Sequence, residues 1–252
     1  MTEFDAYDVA AAAWDDGPGR LYRATAEALL DLAPVPLEGA RLLDLGAGTG
    51  IAGRAALRRG ARSVVATDRA AGMLHHGGER TVVQADAYEL PFGDDTFDLV
   101  LAAFVINHLD EPGRGLRECR RVGRGIAAST FDRSWQHPAK ETVDEVMAEA
   151  GFVAPDWYTA VLVTNDQVKD ADELEVLARA AGYDEVEVRL VEVTTGIEDP
   201  AEMVEWRWGM AHLAPFIASL DVATRDRMRV RAEQAAIGLP PVVVPMLALC
   251  AS

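Results

Sequence analysis

The chain of 252 residues predicts an α/β fold, a doubly wound and mostly parallel sheet of seven strands with helical insertions that form a cap. Three observations predict it. Short apolar runs such as "RLLDL" (41–45) and "FDLVLAAF" (97–104) read as strands buried on both faces. Segments of helical periodicity separate these runs. A glycine-rich stretch, "DLGAGTGIAG" (44–53), follows the first run, at the turn where such sheets meet their ligands.

Taken in order, a helical segment over 19–32 comes first, and Pro34 and Pro36 mark its break from the sheet. The spacing then predicts strand 41–45, helix 50–59, strand 63–67, a short helix 70–76, strands 81–85 and 97–104, helix 110–121 and strand 125–130. After Phe131 the rhythm changes, and "DRSWQHPAKETVDEVMAEAGF" supplies a loop and a helix as an insertion. Regularity returns with helix 171–182, ended by Gly182, and the alternating strand 185–193. A mostly helical stretch (200–237) leads to a last strand over 240–249, which Pro240, Pro241 and Pro245 assign to an edge or bulged position. The expected organisation is a single domain: a helical lid (1–36), a cofactor-binding core (37–131), cap insertions over the substrate (132–170 and 195–239) and the final strand (240–252).

Composition narrows the function. A formal net charge of −17 repels a polyphosphate backbone, so a nucleic-acid partner is not expected. Arg114, Arg117, Arg120, Arg121 and Arg124 recur at helical spacing near a helix C-terminus, and a solvated face explains them better than a binding stripe. Cys119 and Cys250 lack CxxC spacing, which suggests neither a disulfide framework nor a metal site and fits a reduced, cytoplasmic setting. The acidic N-terminus does not read as a signal peptide, and no apolar run reaches the length of a membrane span.

The glycine stretch contains two overlapping patterns. Starting at Gly48 it satisfies the Gly-x-Gly-x-x-Gly fingerprint of dinucleotide sites, but that frame begins two residues too late after the strand. Starting at Gly46, directly after the strand, the third glycine is missing because residue 51 is Ile. The dinucleotide match is therefore accidental. Gly46 and Gly48 are expected to let the backbone turn and approach a ligand closely. Asp68, 22 residues after Gly46, ends the second strand where a carboxylate can accept from both hydroxyls of a ribose.

Together "LLDLGAGTG", "ATDRAAGML" and "QADAYELPFGDDTFDLVLAAFVINHLDEP" resemble the class I S-adenosylmethionine-dependent methyltransferases, over about residues 40–130. The likeness is to their small-molecule branch, which includes the ubiquinone and menaquinone C-methyltransferases and natural-product enzymes, and it implies a Rossmann-like sheet. By this resemblance Asp44 would be among the cofactor-binding residues, Gly46, Ala47 and Gly48 would lie along the methionine part of the cofactor, Asp68 would hold the ribose, and Arg69 and Met73 would sit near the adenine. Asp86 would accept from the adenine amino group beside Ala87, the backbone around Ala103 and Phe104 would face the ammonium or the sulfur, and Tyr22 would lie near the cofactor. The chain departs from the family's Lys-Pro-Gly-Gly type turn before the fifth strand, where "RRVGRG" implies a shorter turn at Gly123 and Gly125.

Methyl transfer from a sulfonium needs alignment and a dry pocket, and a base only for an acidic acceptor; neither metal nor covalent nucleophile is implied. His108, at the carboxyl edge of the sheet, is the first candidate base, and His137 in the insertion the second. His212 is a candidate pocket wall in the cap, whereas His75 and His76 read as solvent-facing. Tyr7, Trp14, Tyr22, Trp135, Trp157, Tyr158, Trp206 and Trp208 supply flat faces for a lid over an aromatic acceptor, Trp206 serving equally well as core. The expected reaction is methylation of a small molecule at oxygen or nitrogen before carbon, in natural-product biosynthesis, by a monomer or homodimer without membrane attachment. The alternatives are a non-methylating cyclisation on the same fold and a non-catalytic cofactor-binding subunit.

Overall fold

A computed structural model describes residues 1–77 and 81–252. Its sheet contains β1 (Arg41–Leu45), β2 (Ser63–Asp68), β3 (Thr81–Gln84), β4 (Phe97–Ala103), β5 (Gly123–Phe131), β6 (Val186–Thr194) and β7 (Val243–Ala251), in the order β3-β2-β1-β4-β5-β7-β6. The first five run parallel, and β7 lies antiparallel to both its neighbours.

The helices in chain order are α1 (Glu3–Trp14), α2 (Gly19–Asp31), α3 (Ile51–Arg58), α4 (Ala71–His76), α5 (Pro112–Val122), α6 (Pro138–Glu149), α7 (Asp156–Asn165), α8 (Ala171–Ala180), α9 (Pro200–Trp208), α10 (Ala214–Ser219) and α11 (Val222–Ala235). Successive strand residues point to opposite faces, so the apolar runs serve two layers. Leu42, Leu99 and Leu101 pack with Leu21 and Leu29 of α2 and Ala55 of α3. Leu43, Val100 and Ala102 pack on the other face with Leu116 of α5 and Leu174 of α8. A third cluster joins Val143 and Met147 of α6 to Val204 and Trp208 of α9 and Leu213, and gives the cap an apolar centre of its own.

Four features differ from the sequence expectation. β7 is internal, with β6 at the edge. Pro245 is tolerated there because its carbonyl accepts from Asp132, just past the end of β5, so its missing donor faces a point where the ladder has already stopped. Gly123 and Gly125 form no turn: α5 passes directly into β5 at Gly123, where a Cβ would lie 2.5 Å from Val100 Cγ2. The insertion after Phe131 holds two helices, α6 and α7, where one was expected. Helix α1 falls within the expected helical lid (1–36), but the sequence does not bound it as an element of its own, because Ala10–Ala13 and their neighbours leave no contrasted apolar stripe. The arginines of α5 do form a paired, solvated face, with Arg114 on Glu111, Arg120 on Asp95 and Arg121 on Glu118 and Asp94. No helix among the described residues is long and apolar enough to cross a membrane.

Candidate active site

The site is built first from backbone. Leu45 ends β1 and the chain turns through Gly46, Gly48 and Gly50, each with positive φ (61°, 53° and 82°). Asp44, 2% exposed, turns its carboxylate under this loop and accepts from the Gly53 N–H of α3 at 2.9 Å. The loop is thereby fixed before any ligand arrives. A Cβ at Gly46 would lie 2.4 Å from Val105 Cγ2, so glycine there is demanded by packing against the loop after β4 as well as by φ. At Gly48 a Cβ would meet Met73 Cε at 3.4 Å, an ordinary contact, and φ alone makes the demand.

Asp68 closes β2 with Oδ2 accepting from the Gly48 N–H (2.8 Å) and Oδ1 from the Ala70 N–H (2.9 Å). Burial raises its carboxyl pKa, against those backbone donors, which lower it. Beyond β3, Asp86 accepts from the Tyr88 N–H at 3.0 Å, and its other oxygen lies 3.8 Å from Arg69 Nη1. After β4, Phe104 adopts a left-handed φ of 55°, held by its N–H donating to the Ser129 carbonyl (3.1 Å) and hydroxyl (3.2 Å). Such strain in a bulky residue persists only where the surroundings over-determine it, typically at ligand sites.

These pieces converge on a cavity of about 370 Å³, within the range of small-molecule sites. Tyr22, Asp44, Gly46, Ala47, Gly48, Asp68 and Arg69 line it. Met73, Asp86, Ala87, Ala103, Phe104 and His108 complete the sequence-based candidates found there. Its outer wall is aromatic: Trp14 stacks on Tyr22 (5.3 Å between centroids, 12° between planes), and Tyr22 meets Phe104 edge-on at 5.5 Å. Tyr7 and Trp157 complete that wall, and burial raises the pKa of the Tyr7 and Tyr22 hydroxyls well above the ordinary phenol value.

His108 ends the 3₁₀ turn Ile106–His108 and faces the cavity. Its Nδ1 lies 2.8 Å from Glu3 Oε1 and its Nε2 3.5 Å from the Tyr7 hydroxyl. Glu3 and Phe4 were not singled out from the sequence. The available signal was Thr2 followed three residues later by Asp5: Thr2 Oγ1 accepts from the Asp5 N–H and Asp5 Oδ2 from the Thr2 N–H, a capping box that opens α1.

The other histidines lie elsewhere. His137 is not in the cavity: it caps α6, its Nδ1 accepting from the Ala139 N–H (3.2 Å) and its Nε2–H donating to the Pro240 carbonyl (3.1 Å). Both nitrogens are occupied, and burial lowers its pKa, so the structure gives it a structural place and not that of a second base. His212 is likewise outside, stacked on Tyr158 at 3.9 Å, its Nε2 accepting from Arg207 Nη2 at 3.2 Å. Burial and Arg207 push its pKa down to about 2. His75 is exposed, its Nδ1 turned to the Ala71 carbonyl, and Trp206, 3% exposed, belongs to the core.

The cavity therefore offers bare backbone at one end, desolvated and half-exposed carboxylates along one side, and apolar groups at Met73 and Ala87. That donor and acceptor set fits a nucleoside with an amino-acid tail.

Comparison with known proteins agrees with this geometry. Residues 43–125 match the family described as a methyltransferase domain. The chain is 40% identical over 139 residues to the demethylmenaquinone methyltransferase of Corynebacterium urealyticum, covering 52% of this chain and 58% of that one. It is 34% identical over 179 residues to the malonyl-[acyl-carrier protein] O-methyltransferase of Halorhodospira halophila, covering 59% and 60%. The chain thus spans less than two-thirds of either relative. A putative methyltransferase from an antibiotic biosynthesis pathway of Anabaena variabilis shares the fold, with a TM-score of 0.63 at 16% identity over 92% of this chain and 99% of that one. Over residues 43–125 the chain is thus similar to the methyltransferase domain family, and its sheet order and overall fold are those of solved methyltransferase structures.

Proposed function

We propose that this protein transfers a methyl group from S-adenosylmethionine to a hydroxyl-bearing aromatic small molecule, with His108 as the base. The observation that carries the reading is the His108 ring placed between Glu3 and Tyr7 on the wall of a cavity whose aromatic side is made by Trp14, Tyr22, Phe104 and Trp157.

When bound, the cofactor supplies a methyl group on an already activated leaving group, so the protein's task is alignment and exclusion of water. Asp68 holds the ribose hydroxyls, Asp86 the adenine amino group, and Gly46, Ala47 and Gly48 the methionine tail, while Met73 and Ala87 flank the adenine. Tyr22 and Phe104, which meet edge-on in the cavity wall, would shield the bound cofactor from solvent. His108 takes the hydroxyl proton of the acceptor on Nε2. Loss of that proton activates the oxygen and, through the ring, the carbon beside it. Oxygen is the first expected position; nitrogen and carbon acceptors follow. Support for the aromatic class comes from the cavity wall and from demethylmenaquinone in the name of one relative. Residues 1–36 act as a lid, 37–131 as the cofactor core and the segments 132–170 and 195–239 as the cap, in an enzyme of natural-product biosynthesis.

The test uses the full chain, methyl-labelled S-adenosylmethionine and a panel led by demethylmenaquinone in its reduced, dihydroxy form and by simpler phenols. Mass spectrometry should show the label in one acceptor with stoichiometric S-adenosylhomocysteine, and NMR of the product assigns the methylated atom. His108→Ala should lower kcat by about 100-fold or more, the usual contribution of a positioned base, with S-adenosylhomocysteine affinity kept within twofold. Label transfer to no acceptor, despite tight cofactor binding, would overturn the reading.

A further inference from the structure

His108 meets two side chains of one helix that lies outside the sheet. A carboxylate can only accept, so at 2.8 Å from Glu3 Oε1 the Nδ1 atom carries the proton and Nε2 keeps the lone pair. That lone pair faces the Tyr7 hydroxyl at 3.5 Å on the cavity wall. The Glu3 and His108 side chains are 19% and 26% exposed, which shields the pair from bulk water without burying it. A base that must receive a proton on Nε2 needs this tautomer, and a carboxylate on Nδ1 fixes it while stabilising the imidazolium that forms.

The carboxylate is supplied by α1, and α1 is tied to the body at separate points. Asp8 accepts from the Gly72 N–H at 2.7 Å, Arg69 lies 4.2 Å over the Phe4 ring, and Asp15 at the helix end accepts from Thr49 and from Arg54. Gly72 and Arg69 flank the start of α4 beside Asp68, and Thr49 belongs to the glycine turn. Of the residues that seat Glu3 in this way, Arg69 lines the cavity, and Gly72 and Thr49 are chain neighbours of the lining residues Met73 and Gly48.

Building on His108 as the base, we infer that Glu3 is its positioning residue, and that the lid helix α1 completes the base only when it is seated over the cavity. Turnover is thereby coupled to closure: with α1 displaced, His108 loses its Nδ1 partner and the ring is free to take either tautomer. A purely structural role, in which Glu3 and His108 merely staple α1 to the body, predicts the same contact without any effect on the chemistry.

The experiment compares Glu3→Gln, Glu3→Asp, His108→Ala and the Glu3→Gln/His108→Ala double variant in the full chain. Long-range proton–nitrogen NMR of histidine-labelled protein with S-adenosylhomocysteine should show His108 protonated on Nδ1 in the wild type and a tautomer mixture in Glu3→Gln. With an active acceptor, Glu3→Gln should lower kcat at least about tenfold, part of the contribution of a positioned base, with KM and S-adenosylhomocysteine affinity within about twofold. Glu3→Asp should recover part of the loss. The double variant should be no slower than His108→Ala, because a positioning residue has nothing left to position. An unchanged tautomer and kcat in Glu3→Gln, with His108→Ala impaired, overturns this inference and leaves the base assignment standing. Equal loss of cofactor affinity and melting temperature in Glu3→Gln, with kcat intact, shows the staple role and overturns it too. Wild-type turnover in His108→Ala removes the base assignment and this inference together.

Discussion

The two walls of the cavity are made by different means. On the sheet side, Asp44 and Asp68 fasten the glycine turn through backbone N–H groups of Gly53, Gly48 and Ala70, all within 20 residues of the carboxylate they meet. The strands beneath are fully buried, with Leu43, Leu99 and Val100 at 0% exposure. On the helical side, Glu3 meets His108 at the cavity, and in the cap outside it Tyr158 stacks on His212 and Arg207 pairs with Asp144, contacts between side chains 105, 54 and 63 residues apart in the chain. Backbone donors on rigid strands suit a ligand that never changes. Side chains from separate helices can be exchanged without disturbing the sheet, and that is where a fold adapts to a new acceptor.

The largest expected effect breaks the first wall. Asp68→Ala removes the acceptor of the Gly48 and Ala70 N–H groups together with the proposed ribose contacts. Two charge-assisted hydrogen bonds lost from a desolvated site amount to about 3 kcal/mol, or about a 100-fold weaker S-adenosylhomocysteine complex by calorimetry. Asp68→Asn, which keeps the shape and one acceptor oxygen, should retain part of the affinity. Wild-type affinity in Asp68→Ala would place the cofactor elsewhere and remove the distinction between the walls.

The same contrast governs what the sequence discloses. Asp44, the three glycines and Asp68 fall in one short stretch whose spacing is dictated by the strand–turn–helix unit, so cofactor side and strand order were legible up to β5. The helical wall rests on pairings that no local pattern encodes. Glu3 sits in a helix rich in alanine, and only packing brings it to His108. His137 and His108 looked alike as loop histidines near an apolar strand, and the carbonyl of Pro240, more than 100 residues away, decides that His137 is structural. Pro245 misled for a related reason: the cost of a proline in a strand depends on what lies opposite its nitrogen, and that is a property of the assembled sheet.

A smaller effect tests the helical cap, outside the cavity, through pH. His212 accepts from Arg207, whose guanidinium cannot accept in return, so protonation would set two cations 3.2 Å apart in a buried site. Burial first, and Arg207 second, push its pKa down to about 2. The unfolded chain takes up that proton below about pH 6.5 and the folded protein does not, so the stabilisation is complete above 6.5 and declines as the pH falls. Between pH 6.5 and 5 the decline reaches about 2 kcal/mol, at about 1.4 kcal/mol per pH unit. Urea unfolding of His212→Phe, which keeps a flat partner for Tyr158 but does not titrate, should show a flatter pH dependence than the wild type. Parallel curves for the two proteins would mean that the His212 stack opens before the fold does.

The smallest effect sharpens the comparison to a pair of histidines. His137 uses one nitrogen to cap α6 at Ala139 and the other to hold the Pro240 carbonyl, just before β7. His137→Ala removes both, and a lost cap plus one hydrogen bond at a buried position costs about 1 kcal/mol of stability. The cap's apolar cluster around Val143, Met147 and Leu213 remains, so the cavity wall at Trp157 should keep its place. Turnover in His137→Ala should therefore stay within twofold of the wild type while the melting temperature falls by a few degrees, the inverse of His108→Ala. A loss of turnover without a loss of stability would show that α6 moves with the reaction. The helical wall would then be a working part of the site, and the division between a fixed sheet and an adaptable cap would have to be redrawn inside the cap itself.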